Sequence, residues 1–359
     1  MLAQRRLPLL YFAPRRAPTL DPAEPGRNPV FFESISGAEV FPATHRTRPS
    51  IGRHLDKRPQ QLKPGARLPY DGVQQHRPDP TGQVRAMNAP RNTPRKFRSV
   101  LDFHAYKSRE QKISMVTCYD AAFAQLIAKT DVDTILVGDS LAMAVYGRPN
   151  TLGASVAEMA RHIEAVRRGA PDKFIVGDLP FLSYRSGLPA AMDAVRQLLV
   201  AGATALKLEG GRENAELITH LVKSGVPVLG HLGLTPQHVH QLGGFRVQGR
   251  GACAAETLIE DAHILQTAGC CAIVLECIPF ELAAKVTQAL HIPTIGIGAG
   301  SAVDGQVLVL YDLLGLSGGF APRFVKRYMD GESLITQALA QFHTAVVDSS
   351  FPSAEHSYE

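Results

Sequence analysis

Four carboxylates stand at the ends of four similar apolar runs. Asp139 follows T-I-L-V-G (134–138) and Asp178 follows F-I-V-G (174–177), while Glu209 closes A-L-K-L-E (205–209) and Glu276 closes A-I-V-L-E (272–276). An acid that terminates a buried-type strand is carried to a rim instead of a core. Asp139 and Asp178 on one rim make a hard-oxygen site suited to Mg2+, completed by water and substrate, with Glu209 as a third candidate ligand. The glycine before each aspartate lets a ligand or backbone approach closely. The alternative is that each aspartate only caps the next helix. Lys207 and Glu209, two apart on a strand, share one face, and Leu206 and Leu208 share the other. A Lys and a Glu turned inward need partners or a function. Lys207 could join a buried ion pair, hold a carboxylate or developing enolate, or form a Schiff base. Glu276, in an otherwise apolar strand, reads as a general base whose pKa burial would raise, or as a hydrogen-bonded structural group. His231, in G-H-L-G (230–233), is a supporting rim residue or a structural histidine. G-I-G-A-G (296–300) is either a phosphate cradle or a tight turn.

Positioning these groups takes strands that alternate with helices. Strand-like runs occur at 113–119, 134–140, 174–180, 205–210, 226–233, 272–277, 292–300 and 306–312. Helical patterns fill most of the gaps: 120–129 with Asp120 as N-cap, 155–168, 189–201 opened by Pro189, 213–223, 255–268 and 280–290. Continuous apolar strands between helices imply a parallel sheet covered on both faces. Eight such units predict a closed (β/α)8 TIM barrel with the site at the strand ends. An open doubly wound sheet is the alternative, although no Gly-x-Gly-x-x-Gly opens a first helix. The glycine-rich excursion 234–251 is a candidate lid or subunit contact, and its His238 and His240 read as a solvated loop. A helical period at 332–346 predicts an outer helix packed on the barrel or on a neighbouring subunit.

The net charge of +5 conceals two unlike parts. Residues 1–100 hold 18 Lys/Arg against 7 Asp/Glu, and residues 101–359 hold 20 against 26. The basic excess belongs to the leader, so it does not mark the folded body as nucleic-acid-binding. Residues 1–98 also hold 15 of the 25 prolines and are expected to be a disordered extension. The first residues resemble a signal or transit peptide only weakly, and a start at Met87 is the alternative. Residues 99–347 are the expected catalytic domain and 348–359 a polar tail. No apolar run approaches the ~18 residues of a membrane span. The five cysteines, Cys118, Cys253, Cys270, Cys271 and Cys277, lack metal spacing and read as buried free thiols in a reducing, cytoplasmic compartment.

From about Val100 to Val347 the sequence resembles the ketopantoate (3-methyl-2-oxobutanoate) hydroxymethyltransferase family. The resemblance is carried by M-V-T-C-Y-D (115–120), V-G-D-S-L-A-M (137–143), G-D-L-P-F (177–181), L-K-L-E-G-G (206–211), G-H-L-G-L-T-P-Q (230–237), G-G-F-R-V-Q-G-R-G (243–251), L-E-C-I-P (275–279), and G-I-G-A-G with D-G-Q-V-L-V (296–309). It implies a (β/α)8 barrel that uses Mg2+, with 5,10-methylenetetrahydrofolate as one-carbon donor, in the first step of pantothenate synthesis. It implies metal on Asp139 and Asp178, with Glu209 nearby or bound through water. It also implies ketoacid contacts from Asp139, Ser140, Asp178 and Lys207, Glu276 as proton acceptor, and a homodecamer. Ala142 stands where the family usually has glycine, and 146–155 lacks the family's Pro-Val after Thr-Leu. Both departures bear on the substrate loop and not on the metal. The rivals are a Mg2+–enolate barrel of the phosphoenolpyruvate mutase and isocitrate lyase kind, and an inactive barrel that only binds a ligand or partner.

Overall fold

A computed structural model of the chain describes residues 97–318 and 322–358. The expected extension 1–98, its weak leader and the alternative start at Met87 lie outside the described residues, apart from Phe97 and Arg98. In chain order the elements are α1 (Val100–Ser108), β1 (Ile113–Thr117), α2 (Ala121–Ala128), β2 (Thr134–Val137), α3 (Leu141–Ala144), α4 (Val156–Gly169), β3 (Phe174–Asp178), α5 (Leu188–Val200) and β4 (Ala205–Glu209). There follow α6 (Ala215–Lys223), β5 (Val228–Gly233), α7 (Ala252–Ala268), β6 (Ala272–Glu276), α8 (Phe280–Ala289), β7 (Thr294–Ile297), β8 (Gly305–Leu308), α9 (Leu310–Leu313) and α10 (Gly331–Val347). Each strand pairs in parallel with the next, and β1 pairs with β8, Ile113 opposite Gly305. The sheet is closed, which rules out the doubly wound alternative.

Side-chain alternation sorts each strand into two faces. Leu206, Leu208, Ile175 and Ile273 face the helices in one apolar cluster, and Val176, Leu229, Val274, Ile295 and Val307 belong to another. The outward face also explains Gly177, where a Cβ would meet Ile163 Cδ1 of α4 at 2.7 Å. That glycine admits a helix and not a ligand, contrary to the expectation from Val-Gly-Asp.

The inner cluster is stoppered by α1, which periodicity alone does not reveal. Phe97 meets Phe103 at 4.7 Å between ring centroids, and both lie 5.5 Å from Phe174, edge to face. Phe97 thus joins the folded body two residues ahead of the boundary expected at 99. The helix starts on a capping box, with the Ser99 N–H donating to Asp102 Oδ2 at 2.7 Å. Elsewhere the expected caps are present: Asp120 Oδ1 accepts from the Phe123 N–H, and Pro189 lies in the first turn of α5.

Other boundaries moved for local reasons. The strand expected at 306–312 stops at Leu308, and Leu310 begins α9, its N–H held by Thr117 Oγ1 of β1. The 213–223 helix begins with a 3-10 turn at Arg212–Asn214, and α7 starts at Ala252, directly after Gly251 at φ +88°. Within 296–300, Gly298 (φ +65°) packs on Phe324 and Cys277 and Gly300 (φ +80°) on Phe280, as a tight turn requires. Of the five free thiols, Cys118 and Cys270 are buried, Cys271 and Cys277 are half-buried, and Cys253 is exposed, against the expectation for it. The 348–359 tail runs back to α10, with Phe351 5.8 Å from Phe342. No helix among the described residues is long and apolar enough to cross a membrane.

Two stability predictions follow from this packing. Phe103→Ala empties a wholly buried aromatic site and is expected to cost about 3–5 kcal/mol in equilibrium denaturation. The second concerns loop 147–155, held by Glu158, whose Oε1 takes Arg148 Nη2 at 2.7 Å. The hydrogen bond from Arg148 lowers the Glu158 pKa from 4.5 to about 2. A carboxyl depressed on folding stabilises above its unfolded pKa and ceases to do so as pH falls through the folded one. The stability gap between wild type and Glu158→Gln is therefore expected to be full above about pH 4.5 and to close toward pH 2.

Candidate active site

Strand register brings the acids together. Asp178 of β3 is opposite Lys207 of β4, Glu209 is opposite His231 of β5, and Gly233 is opposite Glu276 of β6. At Gly233 (φ +92°) a Cβ would meet the Glu276 carbonyl oxygen at 2.3 Å, so only glycine lets β5 turn this close to β6. Asp139 follows β2 directly. Its N–H donates to Asp178 Oδ2 at 3.0 Å, over a Gly138 whose Cβ would sit 3.4 Å from the same oxygen. Neither aspartate caps its own following helix: α3 begins after Ser140, and the Asp178 carboxylate is committed to the Asp139 N–H and Lys207.

Lys207 is the hub. Its Nζ lies 3.2 Å from Asp178 Oδ1, 3.9 Å from Glu209 Oε1 and 3.3 Å from His231 Nδ1. His231 Nδ1 is 3.4 Å from Glu209 Oε1, and Nε2 is 3.3 Å from Glu276 Oε2. Asp139, Asp178, Lys207, Glu209 and His231 are all buried. Glu276 is more open than expected, its side chain 17% exposed against 1% for Glu209. Ser140 is half-buried, its Oγ 2.9 Å from the Tyr119 hydroxyl.

The electrostatics follow from burial and crowding. Burial, reinforced by Glu209 and Asp178, holds the Asp139 carboxyl well above the usual range, against Lys207 and Gln237. Burial also raises Asp178, although Lys207 and the Asp139 N–H oppose it. Burial alone would raise Glu209, but His231 and Lys207 outweigh it and keep that acid low. Burial disfavours the Lys207 ammonium, yet Asp178, Glu209 and Asp139 hold its pKa up. Burial and Lys207 favour neutral His231, but Glu209 and Glu276 raise it to about 9.

The donor set fits a hard divalent cation. Four carboxylates face one ammonium and one imidazole, and Asp178 Oδ1 makes no well-aligned hydrogen bond. Among the described residues no three His, Cys, Asp or Glu side chains form a ready-made metal cage. Mg2+ tolerates that, since it is commonly held by one or two carboxylates with water and substrate oxygens.

Sequence reasoning missed the residues that hold this group. Gln237, in a 3-10 turn Pro236–His238 at the foot of the excursion, donates from Nε2 to Asp139 Oδ2 at 2.8 Å and to the Leu179 carbonyl at 3.0 Å. Its N–H donates to Glu209 Oε2 at 2.9 Å. The Tyr184 hydroxyl is 3.0 Å from Gln237 Oε1 and from the Glu209 carbonyl oxygen, to which Asn214 Nδ2 also donates at 2.9 Å. The only sequence signal was the place of Gln237 in G-H-L-G-L-T-P-Q. Farther along, Phe245 and Val247 are exposed, and the Gln248 N–H returns to the Cys277 carbonyl at 2.9 Å, beside Glu276. His240 is exposed as expected, whereas His238 is half-buried with Nδ1 2.9 Å from Thr235 Oγ1.

Comparison with known proteins meets this geometry. Residues 98–354 match the family model for ketopantoate hydroxymethyltransferase. The 3-methyl-2-oxobutanoate hydroxymethyltransferase of Bdellovibrio bacteriovorus is 57% identical over 262 residues, spanning 73% of this chain and 100% of that protein. That of Coxiella burnetii (strain Dugway 5J108-111) is 54% identical over 259 residues, 72% and 97% of the two chains. That of Francisella tularensis subsp. novicida is 51% identical over 263, 73% and 99%. Among solved structures, a phosphonopyruvate hydrolase complex with oxalate and Mg2+ has a TM-score of 0.49 at 11% identity, covering 72% of this chain and 93% of its own. A 2,3-dimethylmalate lyase of the PEP mutase/isocitrate lyase superfamily has 0.48 at 14%, covering 68% and 87%. With the family model matched over most of the chain and relatives more than half identical, this chain belongs to the ketopantoate hydroxymethyltransferase family.

Proposed function

We propose that the enzyme transfers a hydroxymethyl group from 5,10-methylenetetrahydrofolate to 3-methyl-2-oxobutanoate, giving 2-dehydropantoate and tetrahydrofolate. The observation that carries this is the buried Asp139–Asp178–Lys207–Glu209 group with Glu276 on its open side. Asp139 and Asp178 would hold Mg2+, and Glu209 would stand near it or act through water. Bound there, Mg2+ supplies a Lewis acid that withdraws charge from a 2-oxoacid and makes its C3 hydrogen more acidic. Lys207 gives the ketoacid carboxylate or the developing enolate a fixed positive charge. Its three acidic neighbours favour the ammonium, which weighs against the Schiff-base role, since that role needs a free amine. Ser140, oriented by Tyr119, offers a hydroxyl to the same ketoacid. Glu276, reached from the mouth and 3.3 Å from His231, takes the C3 proton. In the net transfer both C–N bonds of the folate's methylene carbon break: the enolate carbon C3 takes one valence, the oxygen of a water molecule takes the other, and N5 and N10 leave protonated as tetrahydrofolate.

The same family resemblance supports a homodecamer, and exposed Leu339 and Phe342 on α10 are suited to a subunit contact. The free thiols agree with a cytoplasmic setting.

A folate-dependent assay separates this reading from its rivals: 2-dehydropantoate formation supports it, whereas C–C cleavage, phosphonate chemistry or inactivity contradicts it. Two variants test the roles. Glu276→Gln is expected to bind ketoacid with Mg2+ normally and to lose C3 proton exchange in deuterated water by roughly 10²–10⁴-fold. Asp178→Ala is expected to weaken Mg2+ and ketoacid together by at least ~100-fold, the scale of breaking a buried ion pair. Normal exchange in the first variant, or unchanged metal affinity in the second, overturns the corresponding role.

A further inference from the structure

We infer that Gln237 is a positioning residue, a neutral amide clamp that fixes Asp139 and Glu209 without cancelling their charge and ties the excursion to them. The inference rests on the metal role proposed above for these carboxylates. Gln237 is itself buried, and every polar group it owns toward the site is committed. Both Nε2 hydrogens are used, one on Asp139 Oδ2 and one on the Leu179 carbonyl. Its N–H is used on Glu209 Oε2, and Oε1 faces the Tyr184 hydroxyl. Asp139 Oδ2 and the Leu179 carbonyl can only accept, so they fix the amide with nitrogen toward Asp139 and leave Oε1 facing the Tyr184 hydroxyl. One oxygen of Asp139 is thereby occupied and the other left for an incoming ligand.

The chemistry of the clamp matters as much as its geometry. Lysine or arginine at this position would hold Asp139 by neutralising it and would compete with a divalent cation. Glutamate would set a second carboxylate against Asp139 and the Leu179 carbonyl. A neutral donor orients the acids and leaves their charge to the cation. Since Gln237 lies in the turn from which 238–251 departs, the excursion is anchored on the same acids.

The test is Gln237→Met, close in size but without side-chain donors, so that the bond to Asp139 is lost while the backbone N–H to Glu209 remains. Isothermal titration calorimetry with Mg2+ alone, and then with Mg2+ and 3-methyl-2-oxobutanoate, is expected to show affinity weakened about 10- to 100-fold, the usual effect of losing a group that orients metal ligands. Amide hydrogen exchange in 238–251 is expected to quicken while that of β1–β8 does not change. A merely structural role would lower the melting temperature and leave the metal affinity of the folded protein at the wild-type value, and that result overturns the clamp. Should Gln237→Met not fold, Tyr184→Phe removes only the hydroxyl that supports Oε1 and the Glu209 carbonyl, and is expected to weaken Mg2+ by about 2- to 10-fold, the range of one hydrogen bond. Unchanged affinity there likewise overturns it. Wild-type protein that binds no Mg2+ overturns the metal role and the clamp's purpose with it, which distinguishes that failure from failure of the clamp alone.

Discussion

The cost of crowding buried like charges governs the mouth of this barrel. Transferring one carboxylate out of water costs several kcal/mol, and a neighbour of the same sign adds to it. Asp178 and Glu209 lie 3.2 and 3.9 Å from one ammonium, which also acts on Asp139, with Glu276 across His231. Asp139 is where the imbalance emerges, its carboxyl driven upward by burial and by the other two acids. Only a rigid scaffold holds such a group together. The closed sheet does so by register, and the aromatic stopper of Phe97, Phe103 and Phe174 seals the opposite end with apolar surface. The molecule separates its tasks along the barrel axis, with stability at the bottom and charge at the top.

The barrel was legible because most of its strands are buried on both faces, which writes them as continuous apolar runs, and because most of those runs, β1 and β8 apart, end in or directly before glycine or an acid. The acids were legible for the same reason, since an ionisable residue at a strand end has few other places to point. The parts that escaped have short or irregular signals. In α1 the core contacts come mainly from Phe103 and Tyr106, three residues apart, too few to set a period, although its Ser99–Asp102 capping box was there to be read. The end of β8 depends on a hydroxyl from β1, a partner far away in sequence. Gly177 looked like a ligand approach and proved to be a helix contact, because the outward face of a strand is known only once the helices are placed.

Gln237 shows why site residues are harder to read than scaffolds. An amide has no charge to stand out against its neighbours, and it sits in a turn where glutamine is unremarked. Its importance comes from four partners spread over loops and strands that meet only in the closed barrel. A histidine or aspartate draws notice by type alone, and an orienting amide does so only through its hydrogen bonds.

The most direct measurement is anomalous diffraction at the manganese edge from crystals grown with Mn2+ and 3-methyl-2-oxobutanoate. One peak per subunit is predicted within bonding distance of Asp139 and Asp178, with the 2-oxoacid beside Lys207 and its C3 facing Glu276. A peak elsewhere, or ketoacid bound at the mouth with no ion beside those aspartates, would contradict the central claim.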